Sequence, residues 1–529
     1  MIKGFRQIAL LTTISRILGM IRDMAFAYFL GAAGVMNGWV IAFMIPNLAR
    51  RLFGEGAASS SFIPVYSEQL QKNPKDAKRL ACTVVTVIFV LLAAIVIVGE
   101  LGIWAYYSFF SVYESTNLKL SLMGIMLPYM VMICTVAILA GILNAHRHFA
   151  TPAMAPIVLN IFIIGSLFLG GSVIGLEAKQ LVFVVAFAVL IAGIVQIMIQ
   201  IRPLRQSGIL IRPAWDIHSQ AFKKIIIMMA PMILGLTVTQ LNTLADVCIA
   251  TWFSGSAEKG QFFMLFARQI QYPLWDGAVS QLYFSQRLYQ FPLGVLGIAL
   301  ATSIFPVMSS NAAKKDFDTL QRTVSRGIKG AIFIAIPASL GLILIARPLV
   351  SVVFEHGRFT ATDTSLTAGI LLFYAIGLTG FFSQQIVTRA FYSMQDSKTP
   401  MRSALLAVFT NIVLNLTFIW WLGSAGLALS TAICSYLQVV ILVILLRRRL
   451  GRSLLDGLAV TFFKTIAAAV VMCLTGVAIL FAMAKLAPGG WFDGLRLLAV
   501  VPSAAVVYAL MAKILRIEML SLVTGGQTD

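Results

Sequence analysis

Charge is what this sequence has least of: 11% of its 529 residues are Asp, Glu, Lys or Arg, less than half the ~25% of an ordinary soluble domain. A soluble chain of this length could not cover itself with so little polar surface, because a single buried core stops growing near ~300 residues. Disorder is excluded as well, since it needs low hydrophobicity and high charge. No polar stretch is long enough to make a separate soluble domain. Cysteine is sparse, and Cys82, Cys134, Cys248, Cys434 and Cys473 form no CxxC pair and no disulfide framework. They read as small packing residues. The four histidines, His146, His148, His218 and His356, have no metal-ligand or catalytic spacing. There is no phosphate-binding glycine loop and no carboxylate cluster of the Mg²⁺-binding kind. These absences argue against an enzyme and against movement driven by ATP within this chain. A cleaved signal peptide is not expected either, because Arg16, Arg22 and Asp23 interrupt the first apolar stretch.

What the chain does have is apolar residues, 59% of the total, with a mean hydropathy of +0.92. A spanning helix takes ~20 of them. Runs bounded by charge and turn residues give fourteen expected spans: 7–30, 35–68, 79–106, 119–144, 153–173, 178–201, 222–252, 275–310, 328–352, 365–391, 400–422, 425–446, 459–484 and 494–515. The second and eighth exceed what a bilayer needs and contain Pro and Gly, so they should bend or protrude into water. The fold class is therefore an all-α polytopic membrane protein of about 14 helices.

The net charge of +20 does not point to nucleic acid. Cytoplasmic loops of membrane proteins collect Lys and Arg and lie against anionic lipid. With the N-terminus inside, 25 Lys and Arg fall in inner loops and 8 in outer ones, and the bias alternates through every loop. Both termini are then expected on the cytoplasmic side.

The chain also repeats. Thr151-Pro152 and Thr399-Pro400 each close a polar turn after an apolar helix, 248 residues apart; Pro46 and Pro292 are 246 apart, and Pro64 and Pro306 are 242 apart. Three anchors with nearly one period indicate a six-helix unit used twice in the same orientation, as transporters commonly show. This divides the chain into an N-lobe at 1–215, a C-lobe at 216–452, and two additional helices with a short cytoplasmic tail at 453–529.

Arginine within a spanning helix is costly, at least ~2.5 kcal/mol on insertion scales, and normally faces a watery cavity. Arg16, Arg22, Arg50, Arg51 and Arg287 occupy such positions. Snorkelling to the interface is an alternative for Arg51. Arg16 and Asp23 are seven apart and share a face, as do Ser280 and Arg287, while Arg50 and Glu55, five apart, would diverge on a regular helix. A cationic interior with few acids suits bidentate recognition of phosphate or diphosphate.

The segments SRILGMIRD (15–23), IPNLARRLFGEGAASSSFIPV (45–65), GILNAHRHFATPAMAPIVLNI (141–161), RLYQFPLGVLGIALATSIFP (287–306), FEHGRFTATD (354–363) and FYSMQDSKTP (391–400) resemble the MurJ/MviN lipid II flippases of the multidrug/oligosaccharidyl-lipid/polysaccharide exporter superfamily. The resemblance runs from the first helix to the twelfth. It implies two six-helix lobes around a central cationic cavity, with the last two helices forming a groove for a polyprenyl tail. It also implies an alternating-access flippase in a bacterial inner membrane. The substrate would be the undecaprenyl-diphosphate-linked peptidoglycan precursor, lipid II, and cell-wall synthesis proteins are the expected partners. Family substrate positions match Arg16, Arg22, Asp23, Arg50, Glu55, Ser280 and Arg287. Asn37 and Met44 depart from the Asp and Lys often found in relatives. The rivals are a flippase for another polyprenyl-diphosphate glycan, a cation-coupled exporter, and a non-transporting scaffold for cell-wall assembly.

Without a nucleotide site, directional movement must draw on an ion gradient or the membrane potential. Asp246 is a lone acid deep in the seventh span; Asn411 and Asn415 share a helix face, Thr431 offers a hydroxyl, and Leu427, one turn earlier, offers its carbonyl. These are hard oxygen ligands. Their spacing resembles the sodium site of some family members, with Asn415 where an Asp can occur; the loss of one carboxylate there would weaken Na⁺ binding or leave Asp246 as a proton carrier, so the resemblance allows Na⁺, H⁺ or the membrane potential as the coupling source. Helix-to-helix bonding by the amides is the alternative.

Overall fold

Inside a membrane the backbone has no water to bond to, so each apolar run closes its own hydrogen bonds as a helix. A computed structural model describes residues 2–53, 61–110, 113–265, 268–486 and 492–521, and within them helices dominate. The chain divides into two compact units. The first comprises Met1–Leu241, Gly255–Gln271 and Gly357–Phe359; the second comprises Asn242–Ser254, Tyr272–His356 and Thr360–Asp529.

The first unit contains α1 (Ile2–Leu30), α2 (Gly34–Ala49), α3 (Ile63–Lys72), α4 (Pro74–Phe109), α5 (Glu114–Ala145), α6 (Ala150–Phe168), α7 (Ala178–Gln206) and the first part of α8 (Gln220–Trp252). Local chemistry explains the boundaries. Asn73 accepts a hydrogen bond from the Lys75 N–H at 3.0 Å and Pro74 occupies the first turn, so α3 stops and α4 starts there. Helix α5 is the centre of this unit and packs against α2, α4 and α7. Its Tyr129 stacks near Phe43 at 6.3 Å, and Phe43 stacks on Trp39 at 5.5 Å.

The second unit contains the end of α8, then α9 (Ala278–Pro292), α10 (Ile298–Ala313), α11 (Phe317–Leu344), α12 (Ala346–Phe354), α13 (Ala361–Ser393), α14 (Lys398–Leu422), α15 (Ser424–Leu450), α16 (Leu458–Leu486) and α17 (Asp493–Ile514). Here α13 is the centre, opened by a capping box between Thr360 and Asp363. Tyr289 of α9 stacks on Tyr374 at 4.7 Å and on Phe381 at 5.3 Å. Helices α13 and α15 approach closely at a glycine: a Cβ on Gly377 would lie 2.8 Å from the Ala432 Cβ. The turn from α14 to α15 needs Gly423 at φ 57° and Gly426, whose Cβ would lie 2.7 Å from the Phe418 carbonyl.

Among the described residues, eleven helices are long and apolar enough to cross a membrane. They coincide with the third to sixth and the eighth to fourteenth expected spans. The other three expected spans correspond to α1, to α2 with α3, and to α8. The second expected span is not one helix. It winds as π-helix at residues 50–53, four residues after Pro46, and again at 61–62, just before Pro64. The eighth is divided likewise, by a π-helical stretch at Leu293–Gly297 directly after Pro292. Proline removes an intrahelical donor and crowds the preceding turn, and the wider π turn relieves that locally. The ninth expected span begins eleven residues earlier than its apolar run suggested, because α11 opens with an amphipathic stretch capped by Asp316.

A β-hairpin between α8 and α9 was not expected from sequence. Phe262–Leu265 pairs antiparallel with Arg268–Gln271, Phe262 opposite Gln271 and Leu265 opposite Arg268. Strands of four residues are too short for a period-two pattern to stand out.

Candidate functional site

In the first unit the charged centre lies on α1. Arg22 donates through Nε at 3.0 Å and Nη2 at 2.8 Å to one oxygen of Asp23, and through Nη1 at 3.1 Å to Asn160 Oδ1. Asn160 projects from α6 and returns its own amide to the Ser15 carbonyl at 3.2 Å. It therefore ties one guanidinium to two turns of α1. Gly19 faces this amide, a Cβ there lying 3.9 Å from the Asn160 nitrogen. Asp23 is 4% exposed, and the Arg22 side chain 15%. A guanidinium so held has a fixed orientation, and a fixed guanidinium suits recognition of an oxyanion.

Arg16 does not join this cluster. Its side chain is exposed, whereas Asp23, seven residues on, is buried, and no bond joins the two. Helix α6 packs on α1 both where Asn160 bonds it and at Phe29, which meets Phe168, while Arg16 stays exposed. Arg50, at the π-helical turn, donates to Asn47 Oδ1 through Nε at 3.2 Å and Nη2 at 2.8 Å. Its neighbour Arg51 reaches Gln240 of α8 at 3.0 Å, a helix-to-helix contact in place of snorkelling. Glu55 lies outside the described residues.

In the second unit, Ser280 and Arg287 share α9 but not an environment. Ser280 is fully buried and its hydroxyl donates to the Gly277 carbonyl at 2.9 Å, bracing the helix start. Arg287 is half-buried and lies over the Tyr283 ring, 4.4 Å from its centroid. That is a cation–π distance, and the ring helps to fix the position of the guanidinium.

The structure brings together every member of the expected cation set, all within the second unit. Asn415 Nδ2 donates to Asp246 Oδ1 at 2.6 Å, and Thr431 Oγ1 lies 3.3 Å from Asp246 Oδ2 and 3.1 Å from the Leu427 carbonyl. Hydrogen-bond accounting orients the Asn411 amide with its nitrogen towards Asp246 Oδ1, at 3.0 Å, and towards Asn242 Oδ1, also at 3.0 Å. Asp246 is 3% exposed; Asn411, Asn415 and Leu427 are fully buried. Asn415 Oδ1 is buried with no hydrogen-bond partner. An orphaned acceptor beside a carboxylate with only neutral partners is costly, and these oxygens fit a hard monovalent cation. Among the described residues no cluster of three or more His, Cys, Asp or Glu side chains occurs, so this set has one anionic ligand.

Two contributors were missed from sequence, Asn160 and Asn242. Each is an amide within an apolar helix (IVLNIFI and TQLNTLAD), the same signal that singled out Asn411 and Asn415.

Known proteins resemble the chain along most of its length. The family described as lipid II flippase MurJ matches residues 26–501. A probable lipid II flippase MurJ of Vibrio cholerae is 33% identical over 451 residues, covering 82% of this chain and 81% of that protein. The lipid II flippase MurJ of Burkholderia cenocepacia is 30% identical, covering 83% and 82%. A solved lipid II flippase MurJ in an inward closed conformation superposes with a TM-score of 0.76 at 24% identity, covering 96% of this chain and 99% of that one. An inward-facing multidrug transporter of the MATE family and MOP superfamily superposes at 0.62 with 13% identity, covering 84% and 94%. Both are likenesses of fold. With its intramembrane arginines held as described and its sequence matched from residue 26 to residue 501, the chain belongs to the MurJ family of lipid II flippases.

Proposed function

We infer that this protein is a lipid II flippase, a transporter and not an enzyme, that moves the undecaprenyl-diphosphate-linked peptidoglycan precursor between the leaflets of a bacterial inner membrane by alternating access. The observation that carries this reading is Arg22: a guanidinium within an expected spanning helix, clamped in place by Asp23 and Asn160. A drug exporter for cationic compounds would instead need acids towards its substrate. Arg22 and Arg50 in the first unit and Arg287 in the second are the proposed donors to the diphosphate. Asp23 sets the direction of Arg22, and Arg16 adds to the positive field. Ser280 supports α9, and Glu55 remains a proposed substrate residue on the family pattern. The surplus of Lys and Arg in alternate loops supports termini on the cytoplasmic side.

For the coupling ion, Asp246, Asn411, Asn415, Thr431 and the Leu427 carbonyl would hold Na⁺. When bound, the ion would supply the positive charge that the Asp246 carboxylate lacks among its neighbours. The protein's own part is to keep that carboxylate dry and aligned through three hydrogen-bonding side chains.

The test is complementation. A strain depleted of its own flippase should grow with this protein as its only source, and should export labelled lipid II precursor. Growth without precursor export would favour a scaffold, and export of a different polyprenyl-diphosphate glycan in preference to lipid II would favour that rival.

A further inference from the structure

A cavity of about 900 Å³ within the second unit is lined by none of the residues assigned above to the arginine or cation clusters. One wall is the polar start of α11, before its apolar run begins at Ile328. Arg322, Arg326 and Lys329 line it, spaced four and three residues apart so that they share a face of the helix. The lining also takes in Asp318 of α11 itself, the linker after α15, which contributes Asp456, and the short turn after α17, which contributes Glu518. Ile304 and Val307 of α10 supply an apolar side.

Three features set this cavity apart from an ordinary solvated charge cluster. Among the described residues, no ion pair joins the bases of α11 to Asp456 or Glu518, although all line one space. Gln321, also on the lining, is only 7% exposed, and its Nε2 is buried with no hydrogen-bond partner. A buried donor without an acceptor is costly, so its presence on the wall of a cavity marks a place for a ligand oxygen. Gly457, at φ 71°, leaves room for the Lys329 ammonium: a Cβ there would sit 2.9 Å from Nζ.

We propose that this cavity binds the headgroup of a zwitterionic phospholipid carrying a primary amine. The phosphate faces α11, accepting from Gln321 Nε2 and from the guanidinium groups; the ammonium faces Asp456 and Glu518; the acyl stems run along Ile304 and Val307. Both signs of charge on one lining match a ligand that carries both. A purely anionic headgroup would leave the two acids unanswered, and a soluble phosphate would leave both the acids and the apolar side unused. The position agrees with the chemistry: the first turns of α11 precede the apolar run and belong in the headgroup layer, where basic positions between helices take lipid phosphates.

The experiment uses the full-length protein, delipidated in detergent and re-lipidated with phosphatidylethanolamine, phosphatidylcholine or phosphatidylglycerol of matched acyl chains. Lipid retention is read by native mass spectrometry. The variants are Arg326→Gln, Gln321→Leu and the exposed Glu518→Gln, with Arg202→Gln on α7 as the control. Retention of phosphatidylethanolamine should exceed that of phosphatidylcholine about fivefold, and Arg326→Gln or Gln321→Leu should lower it by about the same factor. Glu518→Gln, which needs no refolding of buried groups, should erase the preference for the amine lipid while phosphate binding persists. Arg202→Gln should change nothing. The proposal is overturned if phosphatidylethanolamine retention is equal in the parent and all three variants, if phosphatidylglycerol is retained better with the same dependence on Arg326, or if millimolar inorganic phosphate displaces the lipid.

Discussion

Each unit carries one carboxylate near the end of the helix that opens it, Asp23 seven residues before Leu30 in α1 and Asp246 six residues before Trp252 in α8. Each carboxylate is buried, and each is linked with asparagines from the helix that follows the unit's Thr-Pro turn: Asn160 on α6, Asn411 and Asn415 on α14. The difference is the neighbouring residue. Arg22 precedes Asp23 and clamps it, whereas Ala245 precedes Asp246, whose described hydrogen-bond partners are all neutral. The first unit thus has its cation built into the chain, and the second holds a carboxylate among neutral donors beside an amide oxygen without a hydrogen-bond partner. On the proposed reading, the residue next to the acid, Arg22 or Ala245, separates phosphate recognition from cation binding.

The largest effect expected from breaking this pattern is at Arg22. Arg22→Ala removes the donor and leaves Asp23 buried with its partner gone, a loss of ~3–5 kcal/mol when one member of a buried pair is deleted. Flipping should be abolished, and complementation with it. The double variant Arg22→Ala/Asp23→Asn removes both charges and should recover thermal stability without recovering transport. Recovery of transport as well would show that Arg22 serves folding alone.

At Asp246 the effect should be smaller and dependent on the ion. Asp246→Asn should lower the flipping rate about tenfold in sodium and remove any difference between sodium and potassium media, with insertion intact. Asn415→Asp adds a second carboxylate and should tighten sodium binding, read as a larger melting-temperature rise on adding Na⁺. An unchanged sodium response in both variants would reduce this cluster to helix-to-helix bonding.

Asn160 sharpens the comparison from the other side. Asn160→Leu keeps volume but frees Arg22 Nη1 and the Ser15 carbonyl, and should slow flipping about tenfold by loosening the guanidinium. Asn160→Asp should give a milder defect than Asn160→Leu, since the carboxylate still accepts from Arg22. Equal defects in the two would mean that Asn160 acts through packing.

The smallest effect belongs to a surface cluster away from either site. Hydrogen bonds from Lys224 and Lys72 hold the Glu68 carboxyl down at about 2, well below its ordinary value of 4.5. A depressed folded-state value gives a contribution that is complete above pH ~4.5, fades as the pH falls, and is gone below about 2. Because these side chains are exposed, Glu68→Gln should shift the melting temperature at pH 7 by no more than a degree or so and leave flipping unchanged.

How far these features can be read from sequence follows from their physics. Long apolar runs are their own signal, so eleven spanning helices stand where hydropathy placed them. Pro46 and Pro292 announced breaks, and the structure resolves them as π-helical turns. The cation set was legible because Asp246, Asn411, Asn415 and Thr431 are polar residues in apolar company. Helical spacing paired Arg16 with Asp23 and Ser280 with Arg287, and the structure gives the two members of each pair different burial. Spacing places residues on a face but does not say which turns of that face a neighbouring helix covers. Asn160 carries the same local signal, an amide in an apolar helix, but its partner Arg22 is 138 residues away, and that pairing is not encoded locally.

The most direct test is a flipping assay in proteoliposomes loaded with fluorescent lipid II, following its appearance on the opposite face with and without a sodium gradient. The parent protein should flip lipid II, faster with the gradient; Asp246→Asn should flip slowly and at one rate under both conditions; Arg22→Ala should not flip at all. Flipping by Arg22→Ala at the parental rate, with the gradient still accelerating it, would contradict the assignment of phosphate recognition to the first unit's clamped arginine.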